Sequence, residues 1–448
     1  MAGIFKAYDI RGVYGEALNK EMGYKIGLAY GNFIGAGKTI VCGKDDRASS
    51  PELQTAFING VRDAGTNVVD MGLCTTPNTY YACFSDGYDG STMITASHNP
   101  GKYNGLKFCA AKAVPIGFAE GLDRIEAAIN SGNLVKADTR GTLSEKGYKQ
   151  GYLDFLAERS HFKRKFRFAV DAANGMGGFL IQDFLDRVGQ SATALYWELD
   201  SSFPNHEANP LDFETLKDLQ AKVIEEKLDF GVAFDGDADR CFFVDDKGQV
   251  VAADILTALI AKDMLAKTGP GAIVYDVRSS KVVAEVIEEM GGTPILCRVG
   301  HSFMKAKLRE QAGPFGGELA GHFYFRDFSY ADSAFLTMVT VMNIIDATGQ
   351  SLSELVAPFL KYAPSGEINF ITDQADTFLA EAAEKFPGGK LLSIDGIRLD
   401  YADWWFSLRK SNTEPLLRLV VEGDTFEIMN RAVGEIKDWL MGGGAVVH

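Results

Sequence analysis

Apolar residues along this chain gather into short runs that close on a charge, and a segment with helical character follows each run. Residues 39–45 (TIVCGKD), 168–174 (FAVDAAN) and 272–278 (AIVYDVR) have strand length and strand composition. Residues 51–61, 178–187 and 281–290 then carry apolar positions three and four apart, the spacing of a helix with one buried face. A second strand pattern follows each time, at 67–70, 193–196 and 293–296. Strand-helix-strand thus recurs three times, which predicts three diverged α/β modules. The copies share a pattern and hardly any identical residues, so the repeat is one of texture.

After about residue 363 the texture changes. Residues 367–371, 396–400, 404–408 and 416–421 read as strands, and 424–439 as a closing amphipathic helix, so a smaller α+β domain is expected. The predicted fold class is α/β, with three related mixed-sheet domains at 1–145, 146–247 and 248–363 and an α+β domain at 364–448. No low-complexity linker separates them, which favours four pieces packed around a central cleft. The longest apolar run, 334–345, is broken by threonines and Asn343 and is too short to span a bilayer, so it reads as a buried helix.

Composition narrows the function. A net charge of -15 over 448 residues argues against a nucleic-acid or anionic-membrane surface, and any anionic substrate must be held by local basic clusters. The six cysteines (Cys42, Cys74, Cys83, Cys109, Cys241, Cys297) form no CxxC pair and fit reduced core thiols. The first dozen residues mix in charge and lack a signal-peptide apolar core, so a cytoplasmic protein is expected. Nothing in the sequence sets an oligomeric state.

Four segments carry candidate chemistry. Thr95-Ala96-Ser97-His98-Asn99-Pro100 places a serine on a strand-end loop, since 90–95 reads as a buried strand and Asn99-Pro100-Gly101 stops any helix. A serine hydroxyl needs a base, a metal or a pre-formed phosphoester to be useful, and His98 is adjacent, although neighbouring side chains often point apart. A simple Asx/ST turn fits the same residues. Between two strand patterns, Asp235, Asp237 and Asp239 alternate with Gly236 and Ala238, small residues that allow the tight bend by which carboxylates converge on one Mg²⁺. An EF-hand is excluded because Arg240 and Asp246 stand where that loop needs glycine and glutamate. A solvated acidic hairpin would leave three close carboxylates repelling one another. Residues 409–415 (RKSNTEP) join two strands and offer a guanidinium, hydroxyls and an amide, either a phosphate cradle or a hydrogen-bonded turn. Glu318 and His322 lie among glycines and suit sugar hydroxyls, and His301 lies near Lys305 in a second glycine-led motif.

Five motifs stand in order: residues 5–12 (FKAYDIRG), 95–100 (TASHNP), 235–240 (DGDADR), 317–322 (GELAGH) and 409–415. In order and approximate spacing they resemble the α-D-phosphohexomutases, most nearly bacterial phosphomannomutase/phosphoglucomutase, and the resemblance covers essentially the whole chain. It implies four domains around a deep cleft, Ser97 as a phosphoserine, and Asp235, Asp237 and Asp239 holding Mg²⁺ with a Ser97 phosphate oxygen. Arg11, Lys107 and His301 are then the acid/base candidates. Tyr8, His98, Arg240, Arg278, Glu318, His322, Ser365, Arg409, Ser411, Asn412 and Thr413 are substrate-binding candidates, with Glu318 and His322 on the sugar and 409–413 on the phosphate that does not react. The implied reaction moves phosphate between the 1- and 6-positions of mannose or glucose phosphate through an enzyme-bound hexose 1,6-bisphosphate, which is also the expected activator. Phosphoglucosamine mutase shares most motifs but opens with a different N-terminal one. A silent sugar-phosphate-binding protein is disfavoured by retention of Ser97 with all three aspartates. Departures from the family pattern are Ala320 for a common serine, Arg278 where lysine occurs, and Ala238 for glycine, the last a mild change if its backbone keeps φ negative.

Overall fold

The structure is a computed structural model that describes residues 3–411 and 416–448. It forms two compact units, Met1–Ala253 with Ala320–Leu355, and Asp254–Leu319 with Val356–His448.

The first unit holds two mixed sheets. In its seven-stranded sheet Thr39–Lys44 pairs in parallel with Asn67–Leu73 and Gly90–Ile94, and Tyr103–Ala110 returns antiparallel beside Gly90–Ile94. Gly90–Ile94 is buried at every position, as a strand covered on both faces must be. Helices Lys20–Ile34 and Ser50–Asp63 pack so closely that a Cβ at Gly27 would lie 2.1 Å from the Phe57 carbonyl oxygen, and one at Gly60 2.1 Å from that of Tyr24. Only glycine permits this approach. Tyr30, Phe57 and Phe108 fill the space beneath, with ring centroids 4.8 to 6.0 Å apart.

The second sheet repeats the arrangement with other residues. Phe168–Asp171 is parallel to Thr193–Leu195 and to Phe230–Phe234, and Cys241–Asp245 returns antiparallel to Phe230–Phe234. The serine loop and the aspartate loop are therefore equivalent reversals, each leaving the carboxyl end of a buried strand, where α/β sheets present their ligand sites. Helix Ala334–Thr348 is largely buried, as its sequence predicted.

In the second unit Ala272–Asp276 is parallel to Thr293–Cys297 and Phe315–Gly317. All three expected strand-helix-strand modules thus have parallel strands. The C-terminal sheet has six strands, all paired antiparallel. Strand alternation decides what it presents. Phe406 and Leu408, with Leu417, Leu419 and Val421, enter the core with helices Ala375–Lys385 and Phe426–Gly442. Ser407, Arg409 and Arg418 consequently project from the other face. All six cysteines are buried and none is in a disulfide, and among the described residues no helix is long and apolar enough to cross a membrane.

Candidate active site

Ser97 sits in the loop after Gly90–Ile94 with φ of +51°, a left-handed conformation that costs a non-glycine residue roughly 1–2 kcal/mol. Local bonds hold it there: the Ser97 amide donates to Thr95 Oγ1 at 2.9 Å and the Asn99 amide to the Ala96 carbonyl at 3.0 Å. The buried hydroxyl donates to Asp235 Oδ2 at 3.0 Å and lies 3.3 Å from His98 Nδ1. The neighbouring side chains do meet, because the left-handed turn swings them to one side. Burial, with the charges of Arg240, Arg11 and Lys107, holds His98 well below its ordinary pKa, so its imidazole is neutral. Arg11 reaches over the loop and donates from Nη1 to Asn99 Oδ1 at 2.6 Å.

Asp235, Asp237 and Asp239 are all buried, and one carboxylate oxygen of each lies within 4.8 Å of the others. Two cations share the load. Lys107, from the return strand Tyr103–Ala110, donates at 2.6 Å to both Asp237 and Asp239, and Arg240 Nε donates to Asp235 at 2.9 Å. Burial pushes Asp235 up to about 7 despite Arg240, and its neighbouring aspartates add to the rise. Burial also opposes ionisation of Asp239, but Lys107, His322 and Arg240 together outweigh it and hold that carboxyl well below the usual range. Burial works against charge on Lys107 too, and the three aspartates overcome it and raise its pKa.

The group fits a hard cation of the Mg²⁺ type. It offers oxygen donors only, and Asp237 Oδ1 is buried with no hydrogen-bond partner among the described residues, an orphaned acceptor that a metal ion would satisfy. Gly236 has its own reason: a Cβ there would meet the Ser97 carbonyl oxygen at 2.4 Å, so the two loops touch only because this residue lacks one. His322 Nε2 is 3.5 Å from Asp239 Oδ1 and 3.8 Å from Asp332 Oδ2, and Thr76 Oγ1 donates to Asp237.

The second unit gathers arginines around buried and half-buried carboxylates. Arg278 closes on Asp276 at the end of its strand, with Nη2 2.8 Å from Oδ2 and 3.6 Å from Glu318 Oε1. Arg409 and Arg418 are direct cross-strand partners, a like-charge pairing that destabilises a sheet unless an anion lies between. Glu367 supplies it, accepting from Arg409 Nη2 at 3.0 Å and from Arg418 Nη1 at 2.9 Å. Burial opposes charge on Glu367, but Arg278, Arg409 and Arg418 together lower its pKa. Arg409 Nε is buried and without a partner among the described residues, so this surplus of donors suits a further anion.

Comparison with known proteins decides the family. The description "Phosphoglucomutase/phosphomannomutase" matches the chain four times, as alpha/beta/alpha domains I, II and III over residues 2–136, 150–248 and 252–362, and as the C-terminal domain over 367–438. The chain belongs to the phosphoglucomutase/phosphomannomutase family. It is 37% identical over 447 residues to a phosphomannomutase of Escherichia coli, covering 96% of this chain and 98% of that protein. A phosphomannomutase of Methanocaldococcus jannaschii is 38% identical, with 97% of each chain covered. A crystal structure of a phosphoglucomutase/phosphomannomutase family protein from Burkholderia thailandensis superposes with a TM-score of 0.91 at 31% identity, covering 99% of this chain and 98% of that one.

Within this member of the family the expected residues fall into two groups. Ser97, His98, Arg11, Lys107, the three aspartates, Arg240 and His322 share the first unit, where Tyr8 is half-buried in the turn before strand Ile10–Val13. Arg278, His301, Glu318, Ser365 and Arg409 belong to the second. The division falls inside the sugar motif, between Leu319 and Ala320, so Glu318 is buried beside Arg278 while His322 stands against Asp239. His301 begins helix His301–Glu310. Ser365 Oγ is spent on backbone, accepting from Val421 N at 2.9 Å and donating to the Gly366 carbonyl. Ser411 is the last described residue before the gap, its amide donating to Leu416 O at 2.8 Å, and Asn412 and Thr413 lie outside the described residues.

The condition under which Ala238 would be a mild change is not met: its φ stands at +58°, fully buried, because the loop must reverse between two antiparallel strands while turning three carboxylates inward. Glycine would adopt this conformation freely, and alanine costs roughly 1–2 kcal/mol there. Thr76, Glu367 and Arg47 escaped the sequence reading. Thr76 lies in Thr75-Thr76-Pro77, an evident helix start whose side chains give no sign of facing a carboxylate.

Proposed function

We propose that this phosphohexomutase moves a phosphoryl group between the 1- and 6-positions of mannose or glucose phosphate, using Ser97 as the carrier. The observation that supports this most is the contact of the Ser97 hydroxyl with Asp235 in a buried group of three aspartates. Such an acidic pocket has no use for a bare serine, and suits one that exchanges a phosphate beside a cation. Mg²⁺, held by Asp235, Asp237 and Asp239 with a Ser97 phosphate oxygen, would neutralise charge developing on the transferred group.

The chain's own residues supply the rest. Lys107 and Arg240, both kept charged by the aspartates, place positive charge beside the reacting oxygen without giving up protons. When phosphate returns to Ser97 its hydroxyl proton must leave, and Asp235 and the neutral His98 both stand within reach of that oxygen. Arg409, with Arg418 and Arg278, holds the phosphate that does not react, and Glu318 and His322 contact sugar hydroxyls. The intermediate is a hexose 1,6-bisphosphate that gives back its other phosphate to Ser97.

Ser97→Ala tests the assignment. Wild-type protein should carry one phosphate by intact-mass spectrometry, lose it to glucose 1-phosphate or mannose 1-phosphate, and turn over both sugars. The variant should fold, carry no phosphate and show no turnover, and full activity in Ser97→Ala would refute the carrier.

A further inference from the structure

We propose that Arg47 is the positioning residue of the phosphoryl carrier, an inference that rests on reading Ser97 as that carrier. Arg47 follows strand Thr39–Lys44 and is only 1% exposed. Its planar fork is saturated. Nε donates to Asp45 Oδ2 at 3.1 Å, Nη1 to the carbonyls of Pro100 and Tyr103 at 2.9 and 3.0 Å, and Nη2 to the carbonyls of Ser97 and Asn99 at 2.8 and 2.6 Å. A guanidinium has five N–H groups, and all five are used. Four of the acceptors are backbone oxygens of the serine loop and the strand that follows it.

Holding the Ser97 carbonyl matters for the hydroxyl. Ser97 is in the left-handed region, and releasing its carbonyl lets the peptide turn toward the extended or right-handed conformations that serine prefers. Either change swings Oγ away from Asp235. That carbonyl oxygen is also the atom against which Gly236 of the aspartate loop packs, so its position sets the spacing of both loops. Asn99 is gripped at both ends, its carbonyl by Arg47 and its side-chain oxygen by Arg11. Arg47 is itself fixed: Asp45 Oδ1 accepts from the Ser50 hydroxyl and from the Arg47 amide, and the Phe203 ring lies 5.5 Å from the guanidinium carbon. No substrate atom needs to touch it. Lysine, with three donors on a point charge, cannot reproduce the planar clamp.

The test compares wild type with Arg47→Lys and with Ser50→Ala, which loosens Asp45 and leaves the guanidinium in place. A misplacement of about 1 Å at a reacting atom costs on the order of a hundredfold in rate. Arg47→Lys should therefore lower kcat by roughly that factor with KM for glucose 1-phosphate within about threefold, and Ser50→Ala by a smaller factor of the same kind. Phosphorylation of Ser97 on mixing with glucose 1,6-bisphosphate should slow in parallel, and hydrogen exchange of amides 97–103 should quicken. If Arg47→Lys does not fold, the kcat and exchange changes in Ser50→Ala decide. A variant that melts earlier but keeps wild-type kcat below its melting temperature, or one that raises KM alone, overturns the proposal. Wild-type protein that neither turns over phosphohexoses nor carries phosphate on Ser97 overturns the carrier reading, and this proposal with it.

Discussion

Lys107→Met removes the one ammonium that Asp237 and Asp239 share while keeping most of the side-chain volume. The three groups are 7%, 0% and 2% exposed, so water cannot replace the lost charge. Arg240 is only a partial substitute, since its Nε is committed to Asp235. Breaking a buried pair from one side costs about 3–5 kcal/mol, because the carboxylates stay behind unpaired. At about 2–4 °C per kcal/mol for domains of this order of size, the melting temperature should fall by roughly 6–20 °C in excess EDTA. Mg²⁺ should then act unequally. It offers the variant the charge that Lys107 supplied, and at about a hundred times Kd a ligand returns about 2.7 kcal/mol. Thermal melts of both proteins in EDTA and in saturating Mg²⁺ should show the gap narrowing with the metal. A variant that melts with the wild type in EDTA, or a gap indifferent to Mg²⁺, would refute this account of the aspartate group.

Asp237→Asn should weaken Mg²⁺ binding, since it neutralises the carboxylate with the orphaned oxygen at nearly constant shape, and calorimetric titration with unchanged affinity would exclude Asp237 as a ligand. Arg409→Ala should raise KM for both the 1- and 6-phosphosugar by about ten- to hundredfold, the value of about 1.5–3 kcal/mol for a charge-assisted bond, and an unmoved KM would place the phosphate site elsewhere. His206 is a pH probe outside the proposed site residues: burial lowers its pKa, but the bond of Nε2 to Asp171 at 3.0 Å, the charge of Asp171 and the bond to the Glu207 carbonyl together outweigh it and leave the pKa raised. The stability it adds is full below about pH 6.5, the unfolded value, and is lost as pH rises through the raised folded value. His206→Gln should flatten that slope in melts taken across the window, and an unaltered slope would show that other groups set it.

The elements were legible because each carries its own period: alternation in the C-terminal strands, three-and-four spacing in the helices, and turn residues between. The serine and aspartate loops were legible because reactive side chains stood where the chain had to reverse. What escaped was set by distant partners. Arg47 lies in Asp45-Asp46-Arg47, which looks like an exposed charged turn and is instead closed over by backbone more than fifty residues later. Glu367 reads as an ordinary strand glutamate until sheet register sets Arg409 opposite Arg418. The φ of Ala238 stayed open because composition reports what a residue prefers, whereas the converging carboxylates dictate what it must adopt.

The three modules agree more deeply than their sequences do. At the carboxyl end of one strand in each, an aspartate uses Oδ1 to accept the amide two residues on: Arg47 from Asp45 at 3.2 Å, Ala173 from Asp171 at 2.8 Å, and Arg278 from Asp276 at 2.8 Å. Each then gives Oδ2 to a cation or imidazole, Arg47 Nε at 3.1 Å, His206 Nε2 at 3.0 Å and Arg278 Nη2 at 2.8 Å. An aspartate is suited to this place because it ends the strand with a turn of its own making and leaves one oxygen to aim a partner. The partner has then been put to different uses. In the first module it clamps the serine loop, in the second it fixes a connecting loop, and in the third it faces the carboxylates that gather the arginines. Apolar runs closing on Asp are what the sequence pattern first displayed, and the common turn explains why the charge stands there: it is the fixed point from which each module positions its chemistry.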